Sequence, residues 1–428
     1  MPLWYAIPGF VFVAAAVGCG LYWAIVYMHT HASGRVLPTL RDALDAPEPK
    51  GGWPRVCVLA PAHNEEEVIA RLATSLLASD YPADRLSFVF ALDRCTDATR
   101  ARLDEAIVDA RSPEEPGRAP ETQGEAREPE LIEIDECPDD WAGKVHALHT
   151  AVNRSEAARQ AEVLLFADAD TMFHPACLRA AVATLRERGL GLLSLYTTLT
   201  VERIWERRVQ PAACFELVRQ FPPLKANGVG RRRAFANGQF MMFTKAAYDA
   251  IGGHEAVKDE LLEDVAFARL LGRRDDIATG CLEADGVLRC EMYRDEAAFE
   301  RGWKRIYQEA AHRKPSRVRR AARTVTLTGV ALPAAAALAA LWGLLGNASG
   351  LGGGLGPLLT FAGALALVQF FGTVGVIYRR QHVPLRHVWS FPYGCWRTAA
   401  MLRDAAWKLE NGERTAWGGR TYVRKARA

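Results

Sequence analysis

The feature that most constrains the fold of this chain is a short apolar run that ends in two carboxylates, LLFADAD at residues 164–170. Such a run predicts a buried strand that delivers Asp168 and Asp170 to the C-terminal edge of a parallel sheet, where open α/β sheets bind ligands. Two neighbouring carboxylates repel each other unless a proton or a cation lies between them. The motif therefore predicts a site for a divalent cation such as Mg²⁺, which prefers one or two carboxylates together with phosphate oxygens. Because acidic turns are common, a solvated turn is the alternative.

Two earlier segments repeat the pattern of an apolar run followed by a helix. VCVLA at residues 56–60 stops at Pro61, and an amphipathic helix with acidic residues in its first turn follows. A second run at residues 88–92 leads into Asp93 and Asp97, and another helix is expected next. Two successive strand–helix units predict a parallel α/β domain. In that arrangement the polar residues after each strand meet at one edge of the sheet.

Three charged residues stand at the predicted starts of later helices. Lys144 follows a predicted strand at residues 131–135, so either solvent or a phosphate group is a suitable partner for its charge. A further apolar, β-branched run at residues 190–201 predicts one more strand. Glu263 and Asp264 precede an apolar helical pattern, where capping and the helix dipole also explain carboxylates. A structural and a catalytic role for Asp264 are therefore equally open from the residues alone.

Composition excludes several functional classes and identifies one segment without a fold. The net charge is only +3, so nucleic acid is not expected as a partner. The nine cysteines contain no CxxC pair, which favours buried thiols over a disulfide framework or a zinc site. Residues 112–130 are rich in Pro, Glu and Gly and nearly lack apolar side chains. This composition predicts a disordered surface insertion between a helix and a strand.

Three long apolar runs predict helices that cross a membrane. The first covers residues 1–30 and carries tryptophan and tyrosine near its ends, as is typical of membrane interfaces. A cleaved signal peptide is the alternative, but the run lacks a basic leader and is long for one. The other two runs lie within residues 324–378 and are joined by the uncharged sequence GNASGLGGG. The flanking basic residues predict a cytoplasmic position for the intervening domain and an outer position for the N-terminus.

The last segment, residues 379–428, mixes tryptophans with arginines and lysines, most clearly at residues 383–409. This mixture predicts a helix that lies on the cytoplasmic surface of the bilayer, followed by a tail. A soluble amphipathic helix packed on the domain is the alternative. A basic cluster at residues 313–323 would add attraction to anionic headgroups, about 1 kcal/mol for each residue near the surface.

Taken in order, these motifs resemble those of the family 2 glycosyltransferases, which are inverting enzymes of the GT-A fold. The motifs are PAHNEE from Pro61, LDRCTDAT from Leu92, GK at Gly143, DAD from Asp168 and ED at Glu263. The resemblance covers roughly residues 55–308. It implies an α/β fold: a Rossmann-like GT-A domain of the nucleotide-diphospho-sugar transferase type at residues 50–310, between N-terminal and C-terminal transmembrane helices. The segments WAGK and GGHEAVKDELLEDVAFAR look like the membrane-bound branch associated with carotenoid and hopanoid glycosylation.

The resemblance implies a set of residues that bind a UDP-sugar donor. These residues are Pro61, Glu65, Asp93, Asp97, Lys144 and Asp168. Within this set, Glu65 and Asp93 would contact the uridine. Asp97 and Lys144 would lie beside the nucleotide.

The same resemblance implies how the reaction would proceed. Asp168 and Asp170 would hold the diphosphate through Mg²⁺ or Mn²⁺, and the ion would neutralise charge on the leaving group. Asp264, with Glu263 beside it, would be the catalytic base that deprotonates an acceptor hydroxyl. The acceptor would attack from the face opposite the leaving UDP, so no covalent intermediate is expected.

One stretch departs from the pattern of related polymer-forming enzymes. Those enzymes carry a Q/RxxRW motif after the base, whereas this chain has RGWKR at residues 301–305. By analogy, Trp303 would form the floor of the acceptor site, and Arg301 or Arg305 would steady the pyrophosphate. His254 lies in the GGHEA motif, where a structural hydrogen bond is the alternative to a contact with the acceptor. The departure argues against a polysaccharide synthase.

These features predict a membrane-bound inverting glycosyltransferase that moves a sugar from a UDP-sugar to a lipid acceptor. Isoprenoid, hopanoid and carotenoid lipids are the first candidates for the acceptor, and other glycolipid precursors come next. A polysaccharide synthase of the same fold and a non-catalytic membrane scaffold are the alternatives. The predicted location is the inner (cytoplasmic) membrane of the cell, with several crossings and with the catalytic domain in the cytoplasm.

Overall fold

The structure is a computed structural model that describes residues 1–111, 128–228, 233–417 and 420–423. The predicted disordered insertion at residues 112–130 lies almost wholly outside the described residues, and Glu130 already begins a strand. The strands are β1 (Val56–Ala62), β2 (Leu86–Asp93), β3 (Glu130–Ile134), β4 (Val163–Phe166), β5 (Thr171–Phe173), β6 (Leu192–Tyr196), β7 (Thr198–Leu199), β8 (Met241–Thr244), β9 (Thr279–Glu283), β10 (Leu288–Cys290), β11 (Arg414–Trp417) and β12 (Arg420–Val423).

The α-helices alternate with the strands and then continue alone. They are α1 (Leu3–Val36), α2 (Ile69–Leu77), α3 (Thr99–Arg111), α4 (Gly143–Arg154), α5 (Glu156–Gln160), α6 (Cys177–Glu187), α7 (Ile204–Arg208), α8 (Gln210–Gln220), α9 (Pro223–Ala226), α10 (Lys245–Ala250), α11 (Glu263–Leu271), α12 (Glu296–Ala310), α13 (Pro315–Thr326), α14 (Leu332–Ala348), α15 (Leu355–Arg380) and α16 (Phe391–Asn411). Short helical turns of other types lie at Leu40–Ala43, Ala83–Arg85, Gly253–Val257, Leu327–Ala331 and Leu385–Ser390.

Seven of the described strands form one large sheet in the order β3-β2-β1-β4-β8-β6-β9. β1 pairs in parallel with β2 and β4, and β2 with β3, whereas β8 runs antiparallel to both of its neighbours. Apolar clusters cover both faces of the sheet, which explains why its central strands are continuous apolar runs. The predicted α/β architecture is confirmed.

The register of the parallel strands brings their C-terminal ends to one edge. Ala62, the last residue of β1, lies beside Leu92 of β2. Leu59 of β1 lies beside Phe166, the last residue of β4. The residues that follow these strands, including the DAD motif after β4, are therefore neighbours in space although they are far apart in the chain.

A smaller sheet holds the DAD turn from the other side. The run at residues 190–201, predicted as one strand, divides into β6 in the large sheet and β7, which pairs with β10. β10 also pairs with β5, and β5 starts directly after Asp170. The backbone oxygen of Asp170 accepts a hydrogen bond from Glu291 N at 3.1 Å. The DAD turn is thus held between two sheets. The chain leaves the large sheet after β6 because β7 pairs with β10 in the small sheet.

Three helical segments in the described part of the chain are long and apolar enough to cross a membrane: Leu3–Ala43, Pro315–Ala348 and Leu355–Arg380. They coincide with the three predicted apolar runs, although all three extend beyond the predicted bounds, the third by two residues to Arg380. α1 continues past residue 30 to Val36, and the second segment begins before residue 324 because α13 runs into α14 through the turn Leu327–Ala331.

The membrane-spanning candidates pack against one another and leave apolar surface outside. The ring of Tyr5 in α1 stacks on that of Trp342 in α14, with the ring centroids 5.5 Å apart. Large apolar side chains such as Phe10, Phe361 and Val368 are exposed on the outer faces of α1 and α15. A contiguous apolar exterior of this kind suits contact with lipid.

The amphipathic helix α16 shows features of both predicted alternatives. One face is buried against α13, α12 and α8, and includes Cys395 and Leu402. The other face exposes Tyr393, Trp396 and Trp407. Packing on the protein is therefore observed, and placement of the exposed aromatic face on a membrane surface stays a prediction.

Candidate active site

A lysine lies at the centre of the site and joins two of the predicted motifs. Lys144 is the second residue of α4, and its Nζ lies 2.6 Å from Asp168 Oδ1 and 2.6 Å from Glu263 Oε1. Burial by itself would lower the pKa of Lys144, but the two carboxylates raise it well above its usual value. Lys144 therefore stays charged, and the strand end after β4 is linked to the first turn of α11.

Asp264 lines the site and also accepts a hydrogen bond from the first turn of its own helix. Its Oδ2 accepts a hydrogen bond from Gly238 N at 2.8 Å, and its Oδ1 accepts one from Val265 N at 2.6 Å. The N-cap of α11 is Leu262, which has no capping side chain. Burial, and secondly the charge of Glu263, raise the pKa of Asp264 to about 7. A carboxylate with a pKa near neutrality is well matched to accept a proton from a hydroxyl group.

The two carboxylates of the DAD motif fit a divalent cation. The Oδ1 atom of Asp170 is buried and has no hydrogen-bond partner among the described residues. Burial, and secondly repulsion from Asp168, raise the pKa of Asp170 to about 7. A cation would relieve this repulsion and give the orphaned oxygen a partner. Groups of three or more His, Cys, Asp or Glu side chains arranged as a metal site do not occur in the described ranges, so phosphate oxygens of a substrate would complete the coordination.

Glu65 faces the same carboxylates from the end of β1. Burial, followed by the charges of Asp170 and Asp168, raises its pKa to about 8. Its backbone N–H donates to Thr99 Oγ1 at 2.7 Å, which ties the loop after β1 to the start of α3. Pro61 lies in β1 itself, close to this loop. The structure thus brings Glu65 together with the DAD motif, and its predicted contact with the uridine stays a prediction.

The two predicted nucleotide contacts after β2 already have protein partners. Asp93 is only 3% exposed, and Arg94 forms two hydrogen bonds to it, Nε to Oδ1 at 2.8 Å and Nη2 to Oδ2 at 2.7 Å. Asp97 accepts hydrogen bonds from Thr99 N at 3.0 Å and from Glu66 N at 3.2 Å, and so organises the first turn of α3. Both residues lie at the expected edge, where their observed role is to hold the local backbone and Arg94.

Two of the four residues proposed for the acceptor side line a cavity, and two do not. Trp303 is 2% exposed, packs on Phe299, and keeps its Nε1 without an acceptor among the described residues. Arg305 also lines the cavity, and burial lowers the pKa of its guanidinium. Arg301 is exposed on α12, away from the cavity.

His254 lies in the core behind the sheet. Its ring packs against Phe166 and Phe267, with centroid distances of 4.6 Å and 5.1 Å, and it is fully buried. Its Nδ1 lies 2.7 Å from Tyr248 Oη. Of the two predicted alternatives for His254, the structure contains the structural hydrogen bond. The side chain does not line the cavity.

The cavity has a volume of about 650 Å³ and connects the carboxylates with the membrane helices. Lys144, Asp168, Glu263 and Asp264 line this cavity together with residues of α1 and α15. Its lining is mainly apolar. The apolar side chains that line it include Phe215, Leu217, Val218, Phe221, Phe235 and Ile306.

Comparison with known proteins identifies the family. A family model described as glycosyl transferase family 21 matches residues 142–410, which is more than half of the chain. This chain belongs to glycosyl transferase family 21. The match starts at the GK motif and includes the DAD and ED motifs and the C-terminal helices. The protein is therefore a glycosyltransferase, and the predicted enzyme class and GT-A type of fold are confirmed.

One curated relative of this family 21 glycosyltransferase comes from Synechocystis sp. (strain ATCC 27184 / PCC 6803 / Kazusa). It is described as a beta-monoglucosyldiacylglycerol synthase and is 27% identical over 213 residues. The aligned region is 49% of this chain but only 39% of that protein, so the chain spans about two fifths of the relative's length.

Solved structures with some similarity to this chain include the following two. The mannosyltransferase PcManGT from Pyrobaculum calidifontis, solved with GDP-Man and Mn²⁺, is 19% identical with a TM-score of 0.48, over 96% of this chain and 100% of that one. TarS 1-349 of S. aureus is 12% identical with a TM-score of 0.39, over 86% of this chain and 96% of that one. Identities and TM-scores this low add nothing to the fold described above.

Gly238 is a site residue of this glycosyltransferase that the sequence motifs do not indicate. A Cβ atom at this position would lie 2.9 Å from Lys144 Nζ and 3.2 Å from Glu263 Oε1. The Asn-Gly pair directly before the apolar strand β8 was visible as a turn signal, but a turn signal carries no chemistry. Glycine is needed here because the backbone that donates to Asp264 passes close to the lysine.

Replacing Gly238 by alanine is expected to lower kcat/KM while leaving the fold intact. The added methyl group would displace Lys144 from its two carboxylates, and a misplacement of about 1 Å in an active site can cost up to about 100-fold. Enzyme kinetics and a thermal melt of the same preparation measure the two effects. Gly372→Ala is the matched control, because a Cβ at that glycine meets nothing within 4 Å. Equal kinetics for the two variants would show that the contact with Lys144 does not matter.

Proposed function

We propose that this glycosyltransferase transfers a sugar from a UDP-sugar to the hydroxyl group of a membrane lipid, with inversion at the anomeric carbon. The observation that carries the proposal is that Asp264 lines a largely apolar cavity to which α1 and α15 also contribute. An acceptor that lies in the bilayer can reach Asp264 through such a cavity. The curated relative is described as a glycolipid synthase, which supports a lipid acceptor.

The donor side is proposed to lie along the strand ends. Asp168 and Asp170 would hold Mg²⁺ or Mn²⁺, which when bound neutralises charge on the leaving diphosphate. Glu65 lies next to these carboxylates, and the N-terminus of α4 with Lys144 offers positive charge for a phosphate group. Pro61, Asp93 and Asp97 shape the adjoining edge, where the nucleoside would bind.

Asp264 is proposed to act as the general base. Two backbone N–H groups orient its carboxylate, and each oxygen keeps a lone pair that can accept the proton of the acceptor hydroxyl. The hydroxyl oxygen then forms the bond to the anomeric carbon while the bond to the diphosphate oxygen breaks. Lys144 holds Glu263 beside Asp264, and the charge of Glu263 keeps the pKa of Asp264 high enough for this role.

The proposed location is the cytoplasmic membrane, with the catalytic domain on the cytoplasmic side. α1 and α15 both end next to the catalytic domain, and their last turns carry Arg35, Arg379 and Arg380. Basic residues at the ends of membrane helices favour the cytoplasmic side. Exposed Trp396 and Trp407 on α16 would lie at the interface on the same side.

The activity is expected to follow the ionisation of Asp264. A base must be deprotonated to act, and the pKa of Asp264 is about 7. We therefore expect kcat/KM to fall about tenfold for each pH unit below 7 and to level off above it. The profile should be measured at saturating Mn²⁺, so that Asp170 is not the group that titrates. A flat profile between pH 5 and 7 would contradict the assignment of Asp264 as the base.

The function is tested by product analysis with purified, detergent-solubilised protein. A panel of UDP-sugars and GDP-sugars is combined with a bacterial lipid extract and, separately, with pure diacylglycerol, ceramide and polyprenol, each with and without Mn²⁺. We expect metal-dependent release of UDP only when a lipid is present, together with a discrete glycolipid in mass spectrometry. A polymeric product would favour the polysaccharide-synthase alternative. Transfer from GDP-sugars alone would contradict the proposed donor.

A further inference from the structure

The N-terminal helix α1 contributes one of its faces to the cavity. Val26, His29, Thr30 and Ser33 line it, and their spacing of three and four residues places them on one side of the helix. This stripe covers about 10 Å of helix length. The sequence identifies α1 only as a membrane anchor, because an anchor and a helix that forms a wall have the same apolar composition.

The packing around Trp23 fixes this face against the catalytic domain. Trp23 is fully buried, its ring stacks on that of Phe215 in α8 with centroids 5.7 Å apart, and its Nε1 donates to Thr328 O at 3.0 Å. Phe215 itself lines the cavity. The wall of the cavity therefore continues from α1 to α8. Trp23 belongs to a segment that is long and apolar enough to cross a membrane.

Arg380 at the end of α15 ties the same part of α1 to the large sheet. Its Nη1 donates to Thr30 O at 2.6 Å and to Ser33 Oγ at 3.1 Å, and its Nε donates to Glu283 Oε2 at 3.0 Å. Glu283 ends β9 and also lines the cavity. Membrane helices and catalytic domain thus share one polar junction beside the cavity.

The opposite side of α1 faces outward. Leu21, Ile25 and Met28 are 62%, 49% and 59% exposed. A lipid chain in contact with that outer face is separated from the cavity by the thickness of one helix. α1 therefore lies between the cavity and an exposed apolar surface that suits contact with lipid.

We propose that α1 is part of the acceptor-binding site, and that the chain of the lipid acceptor lies against Val26 on α1 and Phe215 on α8 with its reacting end directed towards Asp264. The existence of a lipid acceptor rests on the function proposed above. The new element is that the N-terminal membrane helix selects the acceptor by the shape of its inner face.

The test compares two adjacent residues of α1, of which Val26 lines the cavity and Ile25 does not and is 49% exposed. Val26→Trp fills the cavity, whereas Ile25→Trp adds the same side chain on the outer face. For dipalmitoylglycerol as acceptor we expect kcat/KM to fall about tenfold or more in Val26→Trp, which is the size of effect that a changed apolar pocket produces. Dihexanoylglycerol, whose chains are short, should lose much less. Ile25→Trp should match the wild type with both acceptors, and UDP binding should be unchanged in all three proteins.

Equal activity of Val26→Trp and Ile25→Trp with the long-chain acceptor would overturn the proposal. A second measurement on the wild-type protein guards against misfolding of the variant. A dipalmitoylglycerol analogue with a photoreactive diazirine in its chain is expected to label α1 at the inner face, at Val26, Thr30 or Ser33, and excess dipalmitoylglycerol should compete. Labelling confined to the outer face, or labelling without competition, would also overturn it.

The two measurements separate this proposal from the proposed function. If the wild-type protein transfers sugar to none of the lipids in the panel, the proposed function fails, and the labelling still reports on α1. If the wild-type protein makes a glycolipid but labelling and kinetics do not involve the inner face of α1, only the present proposal fails.

Discussion

Replacement of Asp264 by asparagine is expected to reduce sugar transfer by about 10²- to 10⁴-fold, the usual contribution of general-base catalysis. The carboxylate lines the cavity, and its pKa of about 7 suits proton transfer from a hydroxyl. Asparagine keeps the shape of the side chain but cannot accept the proton. The measurement is kcat/KM with a lipid acceptor at pH 8, where the wild-type Asp264 is ionised.

The control for this prediction is the integrity of the variant. One of the two backbone N–H groups that donate to Asp264 loses its acceptor in Asp264→Asn, at a cost of about 1–3 kcal/mol of stability. A thermal melt and UDP binding in the presence of Mn²⁺ show whether the site is still formed. Asp275→Asn, an exposed aspartate beyond the same helix, is the matched surface control. Activity of Asp264→Asn within tenfold of the wild type would point to a different base, with Glu263 the nearest.

Replacement of Asp170 by asparagine is expected to have effects of opposite sign on metal-dependent donor binding and on the stability of the metal-free protein. The pKa of Asp170 is raised to about 7 by burial and by Asp168, so in the absence of a cation the two carboxylates destabilise each other at pH 8. Asparagine removes this repulsion, and the melting temperature of the metal-free protein should stay equal or rise.

Donor binding should be lost in the same variant. A ligand at about 100 times its Kd stabilises a folded protein by about 2.7 kcal/mol, so wild-type protein should melt at a higher temperature with UDP and Mn²⁺ together. We expect this shift to disappear in Asp170→Asn and in wild-type protein with EDTA, and sugar transfer to fall to background in both. A full Mn²⁺-dependent shift in Asp170→Asn would contradict the assignment of Asp168 and Asp170 to the cation.

Several parts of the fold were predictable because they depend on local sequence patterns. The runs at residues 56–60, 88–92 and 164–166 are buried strands of the parallel part of the sheet, and the long apolar runs are helices. Strand ends carry the polar residues, so Asp168, Lys144 and Glu263 could be expected at one edge. The distances from Lys144 Nζ to Asp168 Oδ1 and to Glu263 Oε1, 2.6 Å each, agree with that expectation.

Other parts of the fold and of the site depend on strand pairs and side-chain contacts that a local sequence pattern does not identify. The run at residues 190–201 divides between two sheets because β7 pairs with β10, about 90 residues later in the chain. Asp93 is engaged by its neighbour Arg94, and His254 by Tyr248, although the motifs that contain them suggested ligand contacts. Arg94 satisfies the carboxylate of Asp93, whereas Tyr248 satisfies only Nδ1 of His254, whose buried Nε2 has no partner among the described residues. Sequence alone does not show whether a nearby side chain or a ligand is the partner of such a group.

The sequence by itself determined the class of fold, the glycosyltransferase class of the enzyme and the presence of helices long and apolar enough to cross a membrane, because burial patterns and motif positions are local properties of the chain. Only the tertiary structure decided that Gly238 holds Asp264 and that α1 is a wall of the cavity. Those contacts depend on the stacking of Trp23 on Phe215 and on the hydrogen bonds of Arg380 to Thr30 and Glu283. A helix that only crosses a membrane and one that also lines a binding site have the same composition, and packing between distant elements distinguishes them.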